Sequence, residues 1–451
     1  MANARPTTNP DVACSSTGST AVGDAGAATA GHSAEPSRPA SLGTEPEAVL
    51  PDTPPPLTPI TAPPTGVPAI TTTPEQLERV IRQLADGVGP VAVDAERASG
   101  FRYGQRAQLV QLFRREAGIA LIDPVALPDL SALTRALPDT EWVLHAASQD
   151  LECIRQVGLD PPALFDTELA SRLLGYKLVS LATVVARTLG LGLAKEHSAQ
   201  DWSIRPLPDE WLNYAALDVA LLIDVRDALV VELTQANKLD LARAEFQAVL
   251  DAPPPLPRVD PWRRTSGTHK IRDRRGMAVV RSLWQARDAL AQKLDQSPSR
   301  VLPDTGIVAA ALHLPSTPDQ LGKIHPFGGR VQKRRRAYWW DAIDQAQRLP
   351  VQDLPDLHGP RPPGPPGTRG WAKHYPQAAK RLAQVKAELG QISADQQIPV
   401  QHLVTAALVR QVVFSASANA AEALKAGGAR DWQVALLAPV FTKALETYPG
   451  K

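Results

Sequence analysis

Short apolar runs of strand type alternate with amphipathic helical stretches through the first half of the chain, and helical periodicity with few strand signals fills the second half. From residue 73, TTPEQLERVIRQLA carries apolar positions at helical spacing behind a Thr-Pro-Glu start, which predicts a helix. VAVDAE, the alternating QLVQLF and GIALIDP then read as strands. The short polar Arg-Arg-Glu turn between the last two suits an antiparallel hairpin, so a mixed sheet is expected. Further on, WVLHAA and similar runs alternate with LASRLLG and LATVVARTLG, an α/β pattern.

Proline marks the boundaries. Residues 1 to 70 are rich in Ala, Thr, Ser, Gly and Pro, with eight prolines between Pro51 and Pro68, and are expected to be a disordered tail because they cannot bury enough apolar surface. APPPLPR (252–258) and the Pro/Gly-rich stretch 353–370 predict two semi-rigid spacers. They leave three folded pieces, about 71–252, 268–352 and 371–447. The last two read as small all-α bundles, for example MAVVRSLWQARDALAQKL and PQAAKRLAQVKAELGQIS. Each combines an Arg- or Lys-bearing first helix, a Pro-containing loop (SPSRVLPD, IPVQHLVT) and an apolar second helix, the scheme of a divergent internal repeat.

At 451 residues with a formal net charge of +1, the whole chain predicts no particular polyanion or membrane contact, yet the charge is uneven. Residues 71–260 hold 18 basic and 27 acidic side chains, whereas 261–350 hold 17 and 7. Metal chemistry in the acidic block and a polyanion contact in the basic one are the natural expectations. Cys14 and Cys153 make a structural disulfide improbable and favour a reducing compartment. Without a signal-peptide pattern or a long apolar stretch, the expected location is cytoplasmic, with no membrane partner.

The candidate chemistry lies in three windows. On a strand, Asp94 and Glu96 share a face while Val91, Val93 and Ala95 share the other. Tyr214 and Asp218 sit one turn apart on a helix, and Asp150 stands where the helix QDLECIRQVG starts. Each has an ordinary reading alone: a solvated strand edge, a packed tyrosine, a carboxylate favouring a helix N-terminus. Together they supply four carboxylates from separate elements, the oxygen ligands that two divalent ions about 4 Å apart need for in-line phosphodiester displacement.

In order and spacing, Asp94-x-Glu96, Asp150 and Tyr214-x-x-x-Asp218 resemble the three exonuclease motifs of the DEDD superfamily in its tyrosine-bearing branch. In the histidine-bearing branch the corresponding residue would be Asn213. HAASQDLE, DTELASRLLG and KEHSAQDWSIRPL resemble segments of the ribonuclease D family, over about residues 73–250. The resemblance implies a ribonuclease H-like mixed-sheet exonuclease domain. It further implies that Asp94 bridges two ions (Mg²⁺ or Mn²⁺), Glu96 and Asp218 bind the one that activates water, Asp150 helps hold the other, and Tyr214 orients the water.

Residues 268–352 resemble an HRDC domain, and 371–447 the additional C-terminal helical domain of ribonuclease D. Candidate substrate contacts are Gln108, Lys195, Trp202 and Arg205, with the basic run Lys333, Arg334, Arg335 and Arg336 beside Tyr338, Trp339 and Trp340. KIRDRRG (270–276) adds a second basic run. The expected activity is 3′-5′ exoribonuclease, releasing 5′-mononucleotides from RNA with an accessible 3′ end, tRNA precursors among them. No obligatory protein partner is implied. The alternatives are a DNA 3′-5′ exonuclease with the same site and a catalytically silent RNA-binding protein. Removal of 261–451 is expected to weaken RNA binding and leave hydrolysis of short substrates intact.

Overall fold

A computed structural model describes residues 57–193, 200–254, 256–359, 364–417 and 419–450. The chain runs through strands β1 (Thr58–Ile60) and β2 (Ile70–Thr71), helix α1 (Pro74–Asp86), then β3 (Val88–Arg97) and the hairpin β4 (Ala107–Arg115) and β5 (Gly118–Ile122). There follow α2 (Ser131–Ala136), β6 (Glu141–Leu144), α3 (Leu151–Arg155), β7 (Ala163–Asp166), α4 (Thr167–Leu173), α5 (Leu181–Leu189) and β8 (Leu191–Leu193). Helices α6 (Asp209–Ala220), α7 (Leu222–Gln235) and α8 (Leu239–Leu250) complete the α/β part.

Six strands form one mixed sheet in the order β2-β5-β4-β3-β6-β7. The β3–β4 and β4–β5 pairs are antiparallel, as the hairpin reading requires, and β2–β5, β3–β6 and β6–β7 are parallel. Helix α1 starts as its sequence predicts: the Thr73 hydroxyl accepts from Gln76 N (3.3 Å) and Gln76 Oε1 accepts from Thr73 N (3.0 Å), a reciprocal cap. On β3 the side chains divide as expected. Val91, Val93 and Ala95 enter the main core, while Asp94 and Glu96 lie opposite Gln111 and Leu109 on the face that α6 covers.

Of the stretch 1–70 expected to be a disordered tail, residues 1–56 lie outside the described residues, and the remainder is structured. Within the stretch expected to be disordered, β1 pairs in parallel with β8, and Asn213 Nδ2 donates to Thr61 O at 2.6 Å. Backbone pairing of Thr58–Ile60 supplies order that apolar content alone does not predict.

The second piece contains α9 (Arg274–Leu294), α10 (Pro298–Val301), α11 (Asp304–His313), α12 (Pro318–Gly322), α13 (Arg330–Arg334) and α14 (Arg336–Arg348). The third contains α15 (Trp371–His374), α16 (Pro376–Gln396), α17 (Val400–Leu403), α18 (Ala406–Ser415), α19 (Ala420–Ala426) and α20 (Asp431–Thr447). The succession α9-α10-α11 has 21, 4 and 10 residues, and so has α16-α17-α18, which is the parallel that the shared sequence scheme suggests.

The pieces differ in independence. The second has its own core around Trp262, Leu283, Phe327, Trp339 and Ile343. Trp371, Val385, Leu437 and Phe441 of the third join the same cluster as Leu173, Leu233 and Phe246 of the α/β part. Polar clamps reinforce this: Lys238 Nζ donates to Leu173 O (2.7 Å) and Gln396 O (2.6 Å), and Glu245 pairs with Arg430 while accepting from Trp432 Nε1 at 2.8 Å. Of the three folded pieces, the third thus shares its core with the first across the Pro/Gly-rich connection.

Candidate active site

β3 brings Asp94 and Glu96 to the sheet surface, and α6 lays Tyr214 and Asp218 above them. One carboxylate oxygen each from Asp94, Glu96 and Asp218 lies within 4.8 Å of the others. Asp150 reaches the same place from the turn that begins α3. All five residues line one cleft of about 910 Å³.

Asp150 occupies the N-cap position of α3, yet its side chain caps nothing. It faces Arg97 instead, with Nη2 at 3.2 Å, while Arg97 Nη1 donates to Gln149 O at 3.0 Å. The turn carrying Asp150 is fixed from behind by Asp166, a buried carboxylate that accepts from the backbone N–H groups of Ala146 (3.0 Å), Ala147 (2.9 Å), Glu168 (2.9 Å) and Leu169 (3.1 Å). Those bonds cap α4 and tie it to the end of β6, so β6, β7 and α4 together set the Asp150 position.

The electrostatics match the donor set. Burial, then the charges of Asp94, Asp218 and Asp150, holds the Glu96 carboxyl well above its usual range. Burial and then Asp94 do the same to Asp218, against the Tyr214 hydrogen bond, and burial raises Asp94. Asp150 is pushed up to about 7 by burial and Asp94, with Arg97 opposing. Mutually repelling carboxylates in a low-dielectric cleft either keep protons or gather cations, and an all-oxygen set suits hard divalent ions. The phenol of Tyr214 is raised by burial, then by Asp218 and Glu96, and so stays protonated. Its hydrogen bond with Asp218 fixes the ring on α6.

Several other candidates have structural jobs. Trp202 is fully buried, its ring centroid 5.4 Å from that of Trp211 and 6.4 Å from that of Tyr214, so it shapes the base on which Tyr214 rests and does not line the cleft. Arg205 spends its guanidinium on Asp123 (Nε 2.7 Å, Nη2 2.9 Å) and on the carbonyls of Trp202 (2.8 Å), Ile204 (2.7 Å) and Gln108 (2.7 Å). Five bonds use all five of its donors, leaving none for a phosphate. Gln108 is half-buried away from the cleft lining, its carbonyl serving Arg205. Lys195 and His197 lie outside the described residues. His145 bonds Thr167 Oγ1 through Nδ1 at 2.8 Å and is pushed down to about 4 by burial, which keeps the ring neutral.

In the basic domain Lys333 and Arg334 are exposed, Arg335 is half-buried, and Arg336 faces Asp319 at 3.5 Å. None of the four lines the cleft. In the other basic run, Arg274 and Arg275 donate to carbonyls around Leu354 and Leu349, so they close their own domain. Trp339 is core and donates from Nε1 to Gln332 Oε1 at 2.8 Å. Asp166 opens the family-like segment DTELASRLLG, whereas Arg97 and the loop around Phe101 belong to the site without standing out in the sequence. The basic residue directly following Glu96 is the one available signal.

The chain is similar to known proteins along all three pieces. A 3′-5′ exonuclease family model matches residues 68–234, an HRDC domain model 277–343, and a 3′ to 5′ exonuclease C-terminal domain model 364–445. Ribonuclease D of Gluconacetobacter diazotrophicus is 31% identical over 308 residues, spanning 65% of this chain and 77% of that protein. Ribonuclease D of Escherichia coli is 28% identical over 279 residues, spanning 59% and 71%. Among solved structures, a protein from Bifidobacterium adolescentis is 37% identical with a TM-score of 0.81, covering 86% of this chain and all (100%) of that one. The E. coli ribonuclease D structure shares the fold at 24% identity and a TM-score of 0.61, covering 85% and 99%.

Proposed function

Since the chain belongs to the ribonuclease D family and is a metal-dependent 3′-5′ exoribonuclease, we propose that Asp94, Glu96, Asp150 and Asp218 hold two divalent ions and that Tyr214 orients the attacking water. The observation that carries this is the convergence of all five residues on one cleft from three separate elements. It also favours a working enzyme over a silent RNA-binding protein.

Asp94 is in charge contact with Glu96, Asp218 and Asp150, and by the family resemblance would be the ligand shared by the two ions. Glu96 and Asp218 complete one side, and Asp150, held by Arg97, completes the other. Bound Mg²⁺ or Mn²⁺ supplies Lewis acidity to the attacking water and the leaving oxygen. Tyr214 contributes a protonated hydroxyl, a hydrogen-bonding positioner rather than a base, because burial and the neighbouring carboxylates disfavour the phenolate. Hydrolysis of the last phosphodiester then leaves a shortened 3′ end and a 5′-mononucleotide.

Structured RNA is the proposed natural substrate, with tRNA precursors the leading class. The E. coli ribonuclease D is described as an exoribonuclease involved in structured RNA processing, and the basic run Lys333–Arg336 offers phosphate contacts outside the cleft. The test is a comparison of a tRNA precursor, an unstructured RNA of the same length and a DNA strand, each 5′-labelled, with Mg²⁺ and with Mn²⁺. Faster trimming of the precursor and resistance of DNA support the reading. Equal or preferred cleavage of DNA overturns the substrate assignment.

A further inference from the structure

The connection between β3 and β4, residues 98–106, leaves the active strand directly after Glu96 and Arg97 and contributes Ser99, Gly100, Phe101 and Gln105 to the cleft wall. A loop with Gly100 and Gly104 has little intrinsic stiffness. The HRDC-like domain fastens it. Ser297 N donates to Phe101 O at 2.9 Å and Arg300 Nε to Gly100 O at 2.8 Å. The Asp295 carboxylate accepts from Tyr103 N (3.3 Å) and Arg102 Nη1 (3.2 Å), and the Tyr103 hydroxyl donates to Asp288 at 3.2 Å. From the other side, Arg102 Nε donates to Ser203 Oγ at 2.8 Å. Tyr103 itself packs on the core of the HRDC-like domain.

The consequence is an aromatic ring held at the cleft. Phe101 is half-buried, lines the cleft, and has the Arg300 guanidinium 4.1 Å from its ring centroid. That cation packs on the ring, and the part of the half-buried ring that lines the cleft is what an incoming base would meet. The cleft lining carries four carboxylates against Arg97, which is engaged with Asp150, so a ring beside the carboxylates supplies affinity that is independent of charge and of base identity.

We propose that Phe101 is a stacking platform for a base at or next to the RNA 3′ end, and that Arg300, Ser297 and Asp295 of the HRDC-like domain are positioning residues that hold it. This rests on the exoribonuclease reading of the cleft. It makes the second domain the support of one active-site wall, so removing residues 261–451 disturbs hydrolysis of short substrates as well, unlike the sequence expectation.

The test uses the full chain and RNA oligomers carrying 2-aminopurine at the terminal, second or third position from the 3′ end, with Ca²⁺ replacing Mg²⁺ during binding. Quenching at one of these positions on binding is expected, lost in Phe101→Ala, retained in Phe101→Trp and weakened in Arg300→Ala. With Mg²⁺, Phe101→Ala should raise KM by roughly 5- to 150-fold, the equivalent of one base–ring stack. The rise should be absent on oligomers whose terminal nucleotides are abasic. Equal quenching in Phe101→Ala, or the same loss on abasic oligomers, overturns the proposal. Thermal unfolding of each variant separates these outcomes from misfolding. Base-position quenching without any cleavage by the wild-type chain would count against the enzymatic reading and leave the platform standing.

Discussion

The Arg97 guanidinium lies 3.2 Å from the Asp150 carboxylate, so the strand that supplies the first two carboxylates also supplies the cation that holds the third. Without that cation Asp150 would face Asp94 and Asp166 uncompensated. Because Arg97 lowers the Asp150 pKa, Arg97→Ala should move it above about 7, so that more of it is protonated at neutral pH. The expected result is a fall in kcat of about 10- to 100-fold near pH 7, with the acid limb of the pH–rate profile displaced to higher pH. Recovery of activity at alkaline pH distinguishes this from loss of folding.

Metal and proton compete for the same carboxylates. Asp150, raised to about 7, is more protonated in the folded than in the unfolded chain between pH 4 and 7, so its contribution to stability is lost as pH rises through that window. Divalent ions bind the deprotonated set and reverse the loss. The rise in Tm produced by Mn²⁺ over EDTA should therefore grow from pH 5.5 to pH 8, as differential scanning calorimetry would register. A metal-induced shift that is the same at both ends would contradict the linkage.

Tyr214 and Trp202 should separate chemistry from stability. Tyr214→Phe keeps the ring on α6 and removes the hydroxyl, and should lower kcat by roughly 10²- to 10⁴-fold with little change in Tm or metal affinity. Trp202→Ala empties a fully buried site and should cost about 3–5 kcal/mol in denaturant unfolding.

The shared core makes the α/β part and the C-terminal bundle unfold together. Glu245→Ala leaves Arg430 and Trp432 Nε1 without their acceptor and should destabilise by about 3–5 kcal/mol as one transition rather than freeing the bundle. A separate early transition for the bundle in calorimetry would refute the common core.

For the basic run, Lys333→Ala with Arg334→Ala should weaken RNA binding and reduce the slope of log K against log salt by about 0.7 for each phosphate left without its cation. Hydrolysis of a trinucleotide should be unchanged, since neither side chain lines the cleft.

Local rules made the central site legible. Strand alternation put Asp94 and Glu96 on one face, helical spacing paired Tyr214 with Asp218, and the polar turn gave the β4–β5 hairpin. What stayed hidden depends on pairings between residues far apart in the chain. Arg205 looked available until Asp123 and three carbonyls claimed it, and Trp202 looked like a channel wall until Trp211 and Tyr214 enclosed it. The Phe101 loop and the fused core likewise arise from pairings such as Phe101 with Ser297 and Glu245 with Arg430, which no local periodicity encodes.

The central claim is that the acidic cleft is the hydrolytic metal site. Its most direct measurement pairs Mn²⁺ titration calorimetry with cleavage of a 5′-labelled RNA for the wild-type chain and Asp94→Asn, both shown folded by circular dichroism. The account predicts more than one bound ion and stepwise 3′ shortening for the wild type. For Asp94→Asn it predicts weakened ion binding and cleavage reduced to background. Undiminished cleavage by Asp94→Asn would contradict it.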